Sequence, residues 1–265
     1  MVYKKPFHRT YRPVTKSESN YWYSSWAYIT DREYSQNPEH YVRWFLLIQE
    51  DLKKLFEFIE PSDINLKTYS FRIYELFMRV CIEIEANFKA ILRENNFTPF
   101  YQNWERNGQP RDESKWKLSD YKKVNKTHFL SGYSVEFPVW NWERKIFSPY
   151  KEWGIQDKLS WYDAYNNCKH DRYQKFAEAN FENLLWAISW LLVLLTSQFR
   201  DVSFQPWVET LATNSGGQYY DWEFGIWDYF IIDFPDFPEE IVYNFNWSEL
   251  KKEGSRFDKI DYNNI

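Results

Sequence analysis

The sequence has little glycine, seven residues in 265. Turn-rich β architectures use more, and long unbroken periodic runs in its place predict a mainly α-helical fold. Cysteine is scarcer still. Cys81 and Cys168 both fall in segments that read as helices, which predicts two free thiols in a reducing cytoplasm and no disulfide framework. No Cys/His spacing matches a zinc site, and no cofactor is expected. The first 30 residues hold no apolar stretch of signal-peptide length, so a cytoplasmic location is expected. The apolar run Leu184–Leu195 has twelve residues. A bilayer span needs about 20, so no membrane partner is expected. Basic charge is not in excess either. A net charge of −5 and a pI near 5.6 count against a large phosphate footprint, though not against a small one.

Aromatic residues are abundant instead, at 22% of the chain with 15 Trp, which argues against disorder. The chain reads as a single domain over 1–265. A helical core is expected at 38–95 and 158–200, an inserted loop or hairpin at 97–150, and an aromatic, acidic C-terminal extension at 205–265. Residues 1–36 read as an irregular aromatic arm over the helices. The five bases within 1–16 (Lys4, Lys5, Arg9, Arg12 and Lys16), unaccompanied by acid, read as a solvated tail.

A first helix is expected from Asn37 as N-cap and Pro38 at its first position. Phe45, Ile48, Leu52 and Leu55 lie on one face, and Pro61 ends it. A second, capped by Ser62 or Asp63, runs to about Asn95 with Ile73, Phe77, Val80, Ile84, Phe88 and Ile91 as its apolar stripe. Asn87 interrupts that stripe, and a buried amide needs a partner. A hydrogen bond to a neighbouring helix is expected. Residues 101–130 carry seven bases against four acids, interleaved with Tyr101, Trp104, Trp116 and Tyr121. That composition suits single-stranded nucleic acid, by stacking and phosphate attraction. A short hairpin is expected from Phe129 to Val139. In Trp222–Ile232 the alternation is too imperfect to separate strand from extended wrapping segment.

The stretch Trp161–Phe199 contains neither Gly nor Pro and predicts one unbroken, buried central helix with a polar head. Projected at about 100° per residue, Asn166, Lys169, Arg172, Asn180 and Asn183 share the meridian that becomes core at Ala187 and Leu194. Asp163 and His170 lie at its edge. Two readings compete. In one, the stripe pairs with acids of the second helix, Glu83 or Glu85, because buried charge requires pairing. In the other, His170 beside Lys169 and Arg172 is equipment for phosphodiester chemistry. An imidazole can move a hydroxyl proton near neutral pH, and the two cations stabilise charge on phosphate.

The segment Tyr165-Asn-Asn-Cys-Lys-His-Asp-Arg172, after Trp161 and before a long apolar helix, resembles the motif region of HEPN-superfamily helical domains. Phe77–Leu92 is similar to the long helix that precedes it. The resemblance implies a HEPN-like helical bundle around the buried central helix. Many such domains are metal-independent endoribonucleases of toxin–antitoxin or antiviral systems that act as dimers with the motif at the interface; others are inactive binding or scaffolding domains. Carried over, His170 is the general acid/base, Lys169 and Arg172 hold phosphate, and Asn166 is the orienting polar residue. Tyr165 stands where the motif has Arg; Tyr165, Asp163, Glu83 and Asn180 would back the cluster. The implied partners are RNA and a second copy of the chain. The alternative is a non-catalytic helical module that binds a protein partner or small ligand. Paired carboxylates at Asp233, Asp236, Glu239 and Glu240 raise a weaker hydrolase or transferase reading.

Overall fold

The computed structural model of the chain describes residues 3–16, 20–140, 145–155, 159–202, 204, 213–214 and 230–265. It is mainly helical: α1 (Tyr21–Ser24), α2 (Pro38–Phe56), α3 (Phe71–Glu94), α4 (Leu118–His128), α5 (Ser160–His170), α6 (Arg172–Lys175), α7 (Phe181–Phe199) and α8 (Trp247–Leu250). Short strands β1 (Ser134–Phe137), β2 (Lys145–Phe147) and β4 (Ile231–Asp233) form an antiparallel sheet with β1 in the middle, and β3 (Thr213–Asn214) pairs in parallel on the β4 edge. Val135 lies opposite Phe147 on one side and Ile232 on the other, and all three are buried. The register therefore puts one apolar face on the core.

Helix α7 is the centre. From Leu184 to Phe199 every residue except Trp186 is buried, as an all-round apolar helix requires. Among the described residues no helix is long and apolar enough to cross a membrane. Helix α3 packs along α7, and its buried Asn87 accepts a hydrogen bond from Gln198 Nε2 (3.2 Å) while donating to Glu83 O (2.9 Å). The polar interruption of the stripe is thus a helix-to-helix tie. Trp190 stacks on Tyr150 (4.0 Å between centroids), with Trp161 (4.4 Å) and Trp153 (4.9 Å) edge-on. Its indole N–H donates to Pro149 O, the partner a buried indole requires.

Several expectations need correction. The helix expected from Trp161 to Phe199 is broken. Asp171 leaves helical geometry and its carboxylate accepts from Gln174 N (3.1 Å); Asn180 does the same and accepts from Asn183 N (3.0 Å). Asp and Asn compete with the helix by such local bonds, and caps of this kind are worth about 1 kcal/mol. Arg172 and the two later asparagines therefore do not share a meridian with Lys169. The second helix starts at Phe71, capped by Ser70, whose Oγ accepts from Ile73 N (3.2 Å); Ser62 heads only a single 3-10 turn, Asp63–Asn65. Asn37 takes the N-cap position of α2 without a side-chain bond. The expected 97–150 loop contains α4, whose buried Tyr121, Val124 and His128 follow helical spacing. Phe129 caps that helix, so the hairpin is wider than Phe129–Val139, its strands flanking residues 138–144.

The basic arm is not a solvated tail. Arg9 and Arg12 are buried. Arg9 pairs with Glu94 (Nε–Oε1 2.7 Å), donates to Gln198 Oε1 (2.7 Å) and Gln36 O (3.0 Å), and lies over the Tyr41 ring. The arm is held by bridges Tyr3–Tyr243, Phe7–Asp258 and Val14–Tyr243, with Arg12 over the rings of Tyr3, Phe7 and Tyr243. Residues 205–212 and 215–229 of the expected C-terminal extension lie outside the described residues.

Candidate functional site

Helix α5 is anchored at its head by aromatic packing, and its last turn presents exposed side chains. Trp161 packs on Trp190, and buried Tyr165 packs edge-on to Phe77 of α3 (6.5 Å). The last turn carries Lys169 and His170, both exposed. Cationic side chains suit a helix C-terminus, where unpaired carbonyls give a partial negative charge. Below this turn, Cys168 is buried, with its Sγ 3.2 Å from Lys175 O and its own carbonyl 3.4 Å from the Tyr74 hydroxyl. Cys81 and Cys168 are both free thiols.

Lys169 rests on Tyr165: its Nζ is 3.5 Å from the hydroxyl and 5.3 Å from the ring centroid. Tyr165, standing where the resemblance wanted Arg, is thus a packed phenol that carries a cation. Burial, and next the Glu85 carboxylate, push its pKa and that of Tyr162 up, so both phenols stay neutral. The Tyr162 hydroxyl donates to Glu85 (3.3 Å). Glu85 is therefore the acid that faces α5. Glu83 is not: its ionic neighbours are His40 and Arg79, and burial outweighs them to raise its pKa. Arg79 itself is bonded to Asp51.

His170 and Arg172 are exposed and have no hydrogen-bond or ion-pair partner among the described residues. The acids around them have partners of their own in three cases. Asp171 caps α6, Glu178 is held by Lys175 and Asn167 (2.8 Å each), and Glu182 pairs with Lys67. Asp163 is exposed on α5, seven residues or about 10 Å of rise from His170. Asn166 is half-buried with no side-chain partner among the described residues. Asn180 caps α7 and forms a bridge with Tyr69.

An aromatic shelf beside the cluster was not legible in the sequence. Phe176 contacts Phe71 (4.8 Å), Tyr74 (5.5 Å) and Tyr69 (5.9 Å). Phe71 is 75% exposed and Tyr173 95%. The shelf joins residues a hundred positions apart, through hydrogen bonds from Phe181 N to Thr68 O and Glu182 N to Leu66 O. The structure thus brings together exposed cations, an exposed imidazole and stacking surface at the α5–α6 corner. Among the described residues no three His, Cys, Asp or Glu side chains are grouped for a metal. Asp236, Glu239 and Glu240 are exposed.

The four histidines differ sharply in setting. His128 is buried, with Nε2 2.8 Å from Arg9 O and Nδ1 2.9 Å from Thr127 Oγ1. Burial pushes its pKa down to about 3, so it stays neutral in the fold and takes no part in proton transfer near pH 7. The unfolded chain protonates first, near 6.5. Stability from this residue is complete above that value and falls as pH drops from 6.5 towards 3, by about 1.4 kcal/mol per unit. A His128→Asn protein should therefore lose less of its urea midpoint between pH 7 and pH 5 than wild type. Parallel losses would refute the assignment.

Comparison with known protein families, characterised proteins and solved structures finds no significant match to this chain.

Proposed function

We propose that this chain is a HEPN-like, RNA-binding protein that cleaves single-stranded RNA at the α5–α6 corner without a metal. One observation carries the reading: Lys169, His170 and Arg172 are all exposed while the nearby Glu178 and Glu182 are paired with Lys175 and Lys67. Exposed cations attract phosphate, and the aromatic shelf offers a stacking surface to unpaired bases. In the reaction, His170 accepts the proton of a ribose 2′-hydroxyl as the 2′-oxygen bonds to phosphorus. The P–O5′ bond breaks, and the 5′-oxygen receives the proton from His170. The products are a 2′,3′-cyclic phosphate and a 5′-hydroxyl, with no water or oxidant consumed. Lys169 and Arg172 stabilise the charge gathering on the phosphoryl oxygens. A second copy of the chain facing this corner would close the site as a dimer.

The test is RNA binding and scission in EDTA. Wild type should yield cyclic-phosphate ends, and Lys169→Glu/Arg172→Glu should bind single-stranded RNA at least about tenfold more weakly, because two phosphate-facing cations become repulsive. Undiminished binding by the double variant would overturn the site. A second reading, a non-catalytic module for a protein partner or small ligand, is favoured by the burial of Tyr165 in the motif arginine's place. It predicts no scission by wild type.

A further inference from the structure

A groove of about 810 Å³ lies far from the α5–α6 corner, between loop 97–103 and the first half of α4. It opens beyond the C-terminal end of α3, whereas the corner abuts Tyr74 near the N-terminal end, about 30 Å away along that helix. The loop is tied to itself: Arg111 N donates to Pro99 O (2.7 Å), Tyr101 N to Gln109 O (2.9 Å), and Gly108, at φ 79°, returns a bond to Tyr101 O (3.1 Å). Only glycine enters that left-handed region freely. The walls carry Phe100, Tyr101, Gln102 and Asn103 on the loop, Lys117 at the N-cap of α4, and Lys123 on α4, whose Nζ donates to Tyr262 O (2.9 Å) and Ile265 O (2.6 Å).

Three features describe an occupant. The charge at the groove is positive: its buried acid, Asp120, is already gripped by both arms of Arg111 (2.6 and 2.9 Å), and the nearby Glu113 pairs with Arg93. The other charged residues of the wall, Lys117 and Lys123, are both cationic. Aromatic rings stand exposed: Trp104 is 97% exposed and Phe100 52%. The side-chain amides of Gln102 and Asn103 offer both donors and acceptors. Cations alone would suit any anionic polymer. Stacking rings with amides beside them match bases, which unpaired RNA presents by face and edge.

We infer that this groove is a second RNA-binding site, one that stacks two or so unpaired bases on Phe100 of its wall and on Trp104, which follows the wall residue Asn103 in the chain, and draws phosphate to Lys117. The choice of RNA rests on the reading of the corner given above; the groove itself does not. It holds a strand at a distance from the residues that cut it, so binding and scission are separable.

Fluorescence anisotropy with a labelled oligouridine of about 12 nucleotides tests this. Phe100→Ala/Trp104→Ala should weaken binding about tenfold or more, and Lys117→Glu severalfold, with thermal unfolding unchanged because these side chains are exposed. His170→Ala should bind the same RNA as wild type does. Wild-type affinity in Phe100→Ala/Trp104→Ala would overturn the groove, and leave the corner standing if Lys169→Glu/Arg172→Glu still binds weakly. Loss in the groove variant alone would support the groove and overturn the corner. Preference for an oligoglutamate over oligouridine would overturn the assignment to RNA.

Discussion

Replacing Arg9 with methionine is expected to cost about 3–5 kcal/mol of unfolding free energy, read as a large fall in the urea midpoint. The guanidinium is fully buried and the Glu94 carboxylate almost so. Without Arg9, that carboxylate keeps only the Gln36 N–H (2.9 Å), and an uncompensated buried charge carries a penalty of this size. Gln198 loses a donor as well, and the bond linking it to Asn87 loses its polar surroundings. Total stability of a domain is about 5–15 kcal/mol, so the substitution removes a large part of it. Adding Glu94→Leu should restore some of the loss, because replacing both partners of a buried pair is far milder than orphaning one. If Arg9→Met alone were within about 0.5 kcal/mol of wild type, the arm would be the solvated tail that its charge suggests.

His170→Ala should lower RNA scission by about 10²–10⁴, the usual contribution of a positioned acid/base. Stability should stay within about 0.5 kcal/mol, as for surface substitutions generally, since the ring is exposed and has no partner among the described residues. Binding of uncleaved RNA should hold within a factor of a few. This pattern, chemistry lost with fold and binding kept, separates a proton-transferring imidazole from a merely basic surface residue. Equal scission by the two proteins would remove His170 from the reaction.

The sequence was most legible where a pattern is local and repeated. The apolar run of α7 announced a buried centre, the spacing of Phe45, Ile48, Leu52 and Leu55 announced α2, and Asn87 inside an apolar stripe announced a helix-to-helix hydrogen bond. It was least legible where one side chain decides. Asp171 and Asn180 each end a helical run by a single bond to a backbone N–H, and no periodicity shows that such a bond wins. Arg9 and Arg12 counted as charge until Glu94 and the aromatic rings of distant segments surrounded them. Of the residues singled out around the central helix, Lys169, His170 and Arg172 are exposed, while Glu83 faces His40 and Arg79 and Asn180 caps α7. The shelf of Phe71 and Phe176 needed a tertiary contact that no local spacing encodes.

The pairing of residues 3–14 with residues 241–258 has a kinetic consequence. These strands of contact span more than two hundred positions, so they form only after that much chain is available and its loop has closed, a search whose entropy grows slowly but whose time grows with contact order. During synthesis the arm emerges well before its partner. Until then Tyr3, Phe7 and Arg12 lack Tyr243, on which they converge. The helices can collapse around α7 early, but the seal over Arg9 is a late event. The segment made early is therefore among the last to be fixed in place.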